Sequence, residues 1–599
     1  MLTIQEFELL KYLYNNKKSV TQRALASEIG VSLGTMNGLI KSLFSKRLID
    51  IADNGYKVIR GGIDELNNYR VDNAIIMAAG MSSRFAPLSY EKPKGLLKVK
   101  GEILIEREIN QLKEAGINDI TVVVGYMKEQ FFYLEEKFGV KIVVNEDYYK
   151  YNNTSTLIRV IDRLSNTYIC SSDNYFVDNV FEKYVYRSYY SAVYAEGKTD
   201  EYCLFVDNSG RINKVTIGGS DSWCMLGHVY FDRNFSKKFS QILQREYDNS
   251  ETREKLWENL YIRYIKELDL YIKKYDSNKV LEFDSLDELR YFDEEYINNA
   301  DSKILKNICR VLSCEMHDIK DIVAINAGLT NTSFRFCVDG EKYVYRHPGI
   351  GTERYINRKS EAVAMDIAKK IGLDDTYIYM DPVEGFKISK YVDNAKELDY
   401  GNEDEVKNAI AMFKKLHEQN ITTDYDFGIW NKTTNFINTL NNIGKLDFAE
   451  FDSMYSILKK VNNYVLNDGF SRHILCHNDC YSPNFIIDEN GKMFLIDWEY
   501  AGNDDPASDL GTFICCSGYD YEQALNVIKI YDKEVLCNKG KLAHYIGYVA
   551  MTSFYWYVWA LFQESRGNAV GEWLYIWYKN SLLYGKKTLE LLEEINEND

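Results

Sequence analysis

The stretch CHNDCYSPNF, Cys476 to Phe485, holds a carboxylate, a carboxamide five residues later and a proline between them. A loop of that composition handles a metal-bound phosphate. Asp479 can accept a hydroxyl proton and Asn484 can ligate Mg2+. Twelve residues separate Asn484 from Asp497, which ends the apolar run of LIDWEYAG and offers a second metal ligand. A base, an amide on the metal and an acid on the metal, in that order and at short spacing, are the parts of a phosphoryl-transfer site. Asp509, in DPASDLGTF, is the buried acid expected to brace such a loop, and His477 reads as its structural histidine. His473, Cys476, His477 and Cys480 interleave two His and two Cys, so a zinc site is the competing reading of the same segment.

The surrounding chain has 599 residues, more than one hydrophobic core accommodates. Its 46% apolar and 27% charged residues are ordinary for a soluble globular protein. No run approaches the roughly 18–20 apolar residues of a membrane span. The amphipathic start carries Glu6 and Glu8 and lacks a basic region followed by an apolar one, so no signal peptide is expected and the expected location is cytoplasmic. Eleven scattered cysteines fit a reducing compartment. A net charge of −17 argues against wholesale nucleic-acid binding, yet residues 1–60 carry nine Lys/Arg against five Asp/Glu. Six prolines are few, and Pro87, Pro93, Pro483 and Pro506 fall inside the motif regions, where a fixed φ shapes the backbone.

Three segments follow from periodicity. Residues 1–66 read as helices and a hairpin: Thr21 is a candidate N-cap, Gly30 a helix stop, a further helix starts near Ser32, and Asn54-Gly55 marks a turn. This order resembles a winged helix-turn-helix, with Thr35 and Asn37 available to bases and Lys41, Lys46 and Arg47 to phosphates. A packing or dimerisation module is the alternative. Residues 61–70 read as a polar link. Residues 70–300 alternate strand and helix, which argues a Rossmann-like, mainly parallel α/β sheet. Residues 301–599 begin with a small sheet, including a hairpin at Asp339-Gly340, and continue as a large helical lobe, the layout of a protein-kinase-like α+β fold.

In the middle segment AAGMSSRF, Ala78 to Phe85, leaves a strand end. Backbone N–H groups of Ala79, Gly80, Ser82 and Ser83 can cradle phosphates there. Arg84 and Lys94, in EKPKGLL, add fixed positive charge. Asp173 ends the buried run TYICSSD and is a natural Mg2+ ligand, and Glu282 and Asp284 in VLEFDS would share a strand face. Taken singly, each acid is equally a solvated strand end.

Together, AIIMAAGMSSRF, EKPKGLL, VVVGY, NNTSTL, SSDNY and LEFDSLDELR resemble the bacterial CTP:phosphocholine cytidylyltransferases, over nearly all of residues 72–298. The resemblance implies a nucleotidyltransferase in which Arg84 and Lys94 hold the triphosphate and drive transfer. It implies that Asp173, Glu282 and Asp284 hold Mg2+, and that Asn153 in NNTS lies beside the nucleotide. Tyr202 falls where the family has a cage aromatic, and Trp257 with Glu258 supplies another ring and an acid. Aromatic faces with a nearby negative charge are what a quaternary ammonium needs.

Residues 303–590 resemble choline/ethanolamine kinases of the aminoglycoside-phosphotransferase-like fold. Arg346 stands where protein kinases carry a strand lysine, and Glu361 is its expected ion-pair partner at the nucleotide. Trp556 and Trp559, one turn apart on a helix, match the aromatic wall of the choline pocket, and Trp573 and Tyr578 complete it. Cys516 stands near where eukaryotic enzymes carry a pocket glutamate, which leaves the head group open. The expectation is a bifunctional enzyme: ATP phosphorylates choline, and CTP converts phosphocholine to CDP-choline, with Mg2+ at both sites. The same steps on ethanolamine or another amino alcohol are the near alternative, a DNA-binding regulator sensing choline or nucleotide is the alternative of another class, and a homodimer is among the expected partners.

Overall fold

The computed structural model describes residues 2–16, 21–52, 55–82, 85–283, 285–293, 296, 302–325, 331–349, 352, 356–446 and 449–596. Two compact units divide the chain, residues 1–317 and 318–599.

The first unit opens with helices Ile4–Asn15, Gln22–Ile29 and Leu33–Ser45 and an antiparallel pair, Ile49–Ala52 with Gly55–Val58. Local chemistry sets the ends. Thr3 and Glu6 form a capping box, Thr21 and Ser32 cap the next two helices, and Gly30 closes one at φ 71. Glu6 also reaches Lys46 at 2.8 Å, so this lysine is already paired within the helices. The expected polar link at 61–70 is instead largely a helix, Arg60–Asn67. Its two glycines let it approach the carbonyls of Arg47 and Leu48, and Leu66 then becomes fully buried, which no composition argument anticipates. Tyr184 and Tyr186 of the middle segment complete this small core. Tyr186 stacks on Tyr69 at 5.5 Å and donates to the Leu2 carbonyl at 2.8 Å.

A seven-stranded sheet follows, in the spatial order Tyr271–Tyr275, Tyr189–Val206, Ile212–Phe231, Thr167–Ser171, Asn73–Ala78, Ile120–Val124, Lys141–Val144. The last four strands run parallel, so their carboxyl ends share one edge. These are the apolar runs that the sequence marks as buried strands. The long antiparallel hairpin Tyr189–Val206/Ile212–Phe231 was not anticipated, because its repeated register shifts break the two-residue alternation. Helix Lys303–Leu312 belongs to this unit: Glu91 accepts the N–H groups of Lys303 and Ile304 at 2.7 and 3.0 Å.

The second unit has an antiparallel sheet ordered Lys320–Ile325, Asn331–Val338, Glu341–Pro348, Lys387–Lys390, Tyr377–Met380. Asp339 and Gly340, at φ 53 and 83, make its tight turn. Helix Arg358–Lys370 follows, then a helical lobe whose core includes helix Lys539–Ser565. No described helix is long and apolar enough to cross a membrane.

Within that core His544 donates to Asp468 (2.7 Å) and Asp505 (3.2 Å), and Asp505 caps the helix that carries Asp509. Burial disfavours the charged ring, but the two carboxylates outweigh it and lift its pKa to about 9. A pKa raised on folding stabilises fully below the unfolded value near 6.5 and is lost as pH rises through about 9. Thermal melts of the full chain should therefore show stability falling over that window, by roughly 3 kcal/mol if the shift is fully expressed. His544→Gln should remove most of this slope.

Candidate active sites

In the first unit the carboxyl edge of the parallel strands gathers the chemistry. Asp173 follows strand Thr167–Ser171, and Glu282 ends Val280–Glu282, which pairs with Asn174–Phe176. Lys94, buried in the turn after Pro93, points its Nζ at both: 3.0 Å from Asp173 and 3.8 Å from Glu282. Burial would raise the Asp173 pKa, but Lys94 and the Ser171 hydroxyl reverse this and hold it below the ordinary value. Gly95 makes the approach possible, since a Cβ there would lie 2.9 Å from the Ser172 carbonyl oxygen. Two converging carboxylates are hard oxygen donors that fit Mg2+. Ser83, Arg84 and Asp284 lie outside the described residues.

A pocket of about 410 Å³ is lined by Ala79, Gly80, Asn145, Asn152, Asn153 and Ser171. A neighbouring one of about 720 Å³ holds Ser82, Lys94, Asp173, Glu201, Tyr202 and Glu282. A third, of about 210 Å³, shares Glu201, Tyr202 and Glu282 with it and adds Tyr190, Trp257 and Glu258. Thus Tyr202, Trp257 and Glu258 do come together. Trp257 is only 1% exposed and stacks on Tyr190 at 5.8 Å, with Phe231 and Phe239 at its edges, so it is also core. Burial pushes the Glu258 carboxyl up, while Tyr190 donates to it at 3.0 Å. Asn153 does more than line the first pocket: its side-chain oxygen accepts the Trp257 backbone N–H at 2.7 Å and its amide donates to Glu258 at 3.4 Å. Tyr190 and Glu201 were missed because they sit on an irregular strand whose facing is set by its bulges.

In the second unit Asp479 and Asn484 lie on one loop, with the Asn484 amide donating to the Asp479 carboxylate at 3.0 Å. Burial, then the charges of Asp497 and Glu499, pushes the Asp479 carboxyl well up. Arg346 joins the expected partner, Glu361, and also meets Asp497 at 2.8 Å. Glu499, two residues past Asp497, is a further member: Asn331 donates to it at 2.9 Å, and burial next to Asp497 lifts its pKa to about 7. Lys387, also unanticipated, reaches Asp497 at 3.9 Å. The side-chain oxygens of Asn484 and Asp497 are donors suited to Mg2+.

Asp509 braces the loop. Its carboxylate accepts the backbone N–H groups of His477 at 3.1 Å and Asn478 at 2.6 Å, and meets His417 at 2.9 Å. His477 donates from Nε2 to the Ile496 carbonyl and accepts the Asp479 N–H on Nδ1, a neutral ring that burial favours. The zinc reading therefore fails. His473 is exposed and turned to Asp426, and His477 has both ring nitrogens occupied. Among the described residues His417, Cys476 and Asp509 have metal-like spacing, but Asp509 is taken up by the loop.

Trp556 and Trp559 meet at 5.5 Å, and Trp573 stacks on Trp577. Trp577, not the expected Tyr578, lies against Trp556, at 5.9 Å; Tyr578 packs on Tyr557 instead. One residue on a helix turns a side chain by about 100°, so spacing alone could not choose between them. Cys516 is buried against Cys515, and that contact with burial pushes its thiol well up, so it brings no negative charge to the pocket.

Residues 74–217 match the MobA-like NTP transferase domain. A choline-phosphate cytidylyltransferase of Streptococcus pneumoniae is 37% identical over 221 residues, covering 37% of this chain and 96% of that one. Through its middle domain this chain belongs to the choline-phosphate cytidylyltransferase family. The cytidylyltransferase domain is as similar, 37% over 235 residues (39% of this chain, 96% of the relative), to a 2-aminoethylphosphonate cytidylyltransferase of Lancefieldella rimae. Residues 322–551 match choline/ethanolamine kinase, so a choline kinase-like domain is fused to it. The crystal structure of the choline kinase LicA from Streptococcus pneumoniae is 20% identical, covers 48% of this chain and 100% of its own, and superposes with a TM-score of 0.40.

Gly95→Ala should displace Lys94 from Asp173. Cytidylyl transfer should fall on the order of 100-fold, as for loss of one preorganised charge contact, while ATP consumption by the kinase-like domain stays at the parent rate in the same preparation.

Proposed function

We propose that the chain phosphorylates choline with ATP in its kinase-like domain and transfers CMP from CTP to phosphocholine in its cytidylyltransferase domain. The carrying observation is that each domain of one chain gathers acids and a cation among the described residues: Asp479, Asn484 and Asp497 with the Arg346–Glu361 pair, and Asp173 and Glu282 around Lys94.

In the kinase-like domain Asp479 takes the hydroxyl proton as the choline oxygen attacks the γ-phosphorus and ADP leaves. Asn484 fixes the orientation of Asp479, and Arg346, held by Glu361, supplies charge at the nucleotide. In the cytidylyltransferase domain a phosphate oxygen of the acceptor attacks the α-phosphorus in line, and pyrophosphate leaves without a covalent enzyme intermediate. Lys94, with Arg84 of the glycine loop, neutralises the charge that builds on the phosphates. Mg2+, held by Asp173, Glu282 and Asp284 in one domain and by Asn484 and Asp497 in the other, adds further neutralisation when bound. Tyr190, Tyr202 and Trp257 offer ring faces, and Glu258 and Glu201 offer negative charge, to a cationic head group. Trp556, Trp559, Trp573 and Trp577 do the same for choline.

A second reading keeps both reactions and replaces the trimethylammonium with a primary ammonium. The equal identity to a 2-aminoethylphosphonate enzyme and the acceptor oxygens of Glu201 and Glu258 favour it. The N-terminal helices and hairpin are read as a winged helix-turn-helix of a cytoplasmic enzyme, able to bind DNA or pair two chains through exposed Thr35, Asn37 and Lys41.

The purified chain with ATP, CTP, Mg2+ and either amine should give CDP-choline from choline, read by mass. Product from ethanolamine alone would replace the substrate and keep the mechanism. Asp479→Asn should abolish amine phosphorylation and leave CMP transfer to added phosphocholine intact. Asp173→Asn should do the converse. Loss of both activities from either single change would overturn the two-site reading.

A further inference from the structure

Lys387 has no part in the steps above. It begins the strand Lys387–Lys390, whose antiparallel register sets it directly opposite Arg346. Two cations side by side repel, and Lys387 is only 9% exposed. A buried ammonium persists only where opposite charge offsets its lost hydration. Its one described ion pair is with Asp497 Oδ1 at 3.9 Å, the same oxygen that Arg346 meets at 2.8 Å. No described hydrogen bond or ion pair takes Oδ2. Arg346 is shared with Glu361 and Glu499, whereas Lys387 is not. Glu361, Asp374 and His477 are the other titratable groups near the ammonium. Asp497 also sits at φ 63, in the left-handed region. The described partners of its carboxylate, Arg346 and Lys387, come from two other strands.

We propose that Lys387 is a positioning residue for phosphoryl transfer: with Arg346 it clamps Oδ1 of Asp497, so that Oδ2 would be the oxygen to ligate the metal ion of a bound nucleotide. The inference rests on reading Asp497 as a metal ligand. It predicts that the small sheet and the metal site communicate through the Arg346/Lys387 register.

The test uses full-length Lys387→Met and Lys387→Arg. Mn2+ binding with a non-hydrolysable ATP analogue is followed by electron paramagnetic resonance, beside amine-phosphorylation kinetics. CMP transfer by the same preparation checks the first unit, and the melting temperature reports folding of the unit that carries Lys387. Lys387→Met should weaken Mn2+ binding and lower kcat by roughly 10–100-fold, as for other groups that orient a metal ligand, with the amine KM unchanged. Lys387→Arg should recover most of both. Parent-like Mn2+ affinity in Lys387→Met would overturn the proposal. So would equal losses in both variants with a lowered melting temperature, which would mark a purely structural lysine. If the parent chain phosphorylates neither amine, the kinase reading falls, and the Mn2+ comparison still decides the role of Lys387.

Discussion

A carboxylate taken out of water stays ionised only beside a cation, and this constraint organises both halves of the chain. In the cytidylyltransferase domain Lys94 holds Asp173 below its ordinary pKa against the burial that would raise it. In the kinase-like domain Lys387 and Arg346 do so for Asp497. Asp479 and Glu499 move upward because burial and the charge of Asp497 win, at Glu499 even against Arg358 at 3.7 Å and Arg346 at 3.9 Å. The division separates acids suited to bind cations from an acid suited to exchange a proton.

Pairing of this kind dictates backbone detail some distance away. Lys94 reaches Asp173 because Gly95 lets its turn close on Ser172. The Asp479 loop keeps its shape because Asp509 collects two of its N–H groups and His477 ties it to Ile496. These are buried, directional contacts, each costly to leave unmade. The aromatic pockets are the opposite case. Their rings pack as core, so Trp257 can be almost fully buried and still border a pocket.

Much was legible in the sequence because it is local. Caps at Thr21 and Ser32, the stop at Gly30 and the turn at Asp339-Gly340 each depend on neighbours within a few residues. The glycine loop, the Asp479–Asn484–Asp497 spacing and the Arg346–Glu361 pairing are likewise short patterns with specific chemistry. What was illegible depends on facing. Helix Arg60–Asn67 forms because two glycines dock on a distant turn, and Tyr578 gives way to Trp577 because a helix face is set by its neighbours. Tyr190, Glu201 and Lys387 are ordinary strand residues until bulges or register aim them.

The sequence by itself determined which residue types stand at strand ends and in loops, and hence the two reaction chemistries. Only the tertiary structure decided which charges share a buried space. That follows from the physics: the ionisation and aim of Asp173 or Asp497 depend on distance and dielectric, and residues such as Lys94 and Glu282 are far apart in the chain yet 3.8 Å apart in the fold.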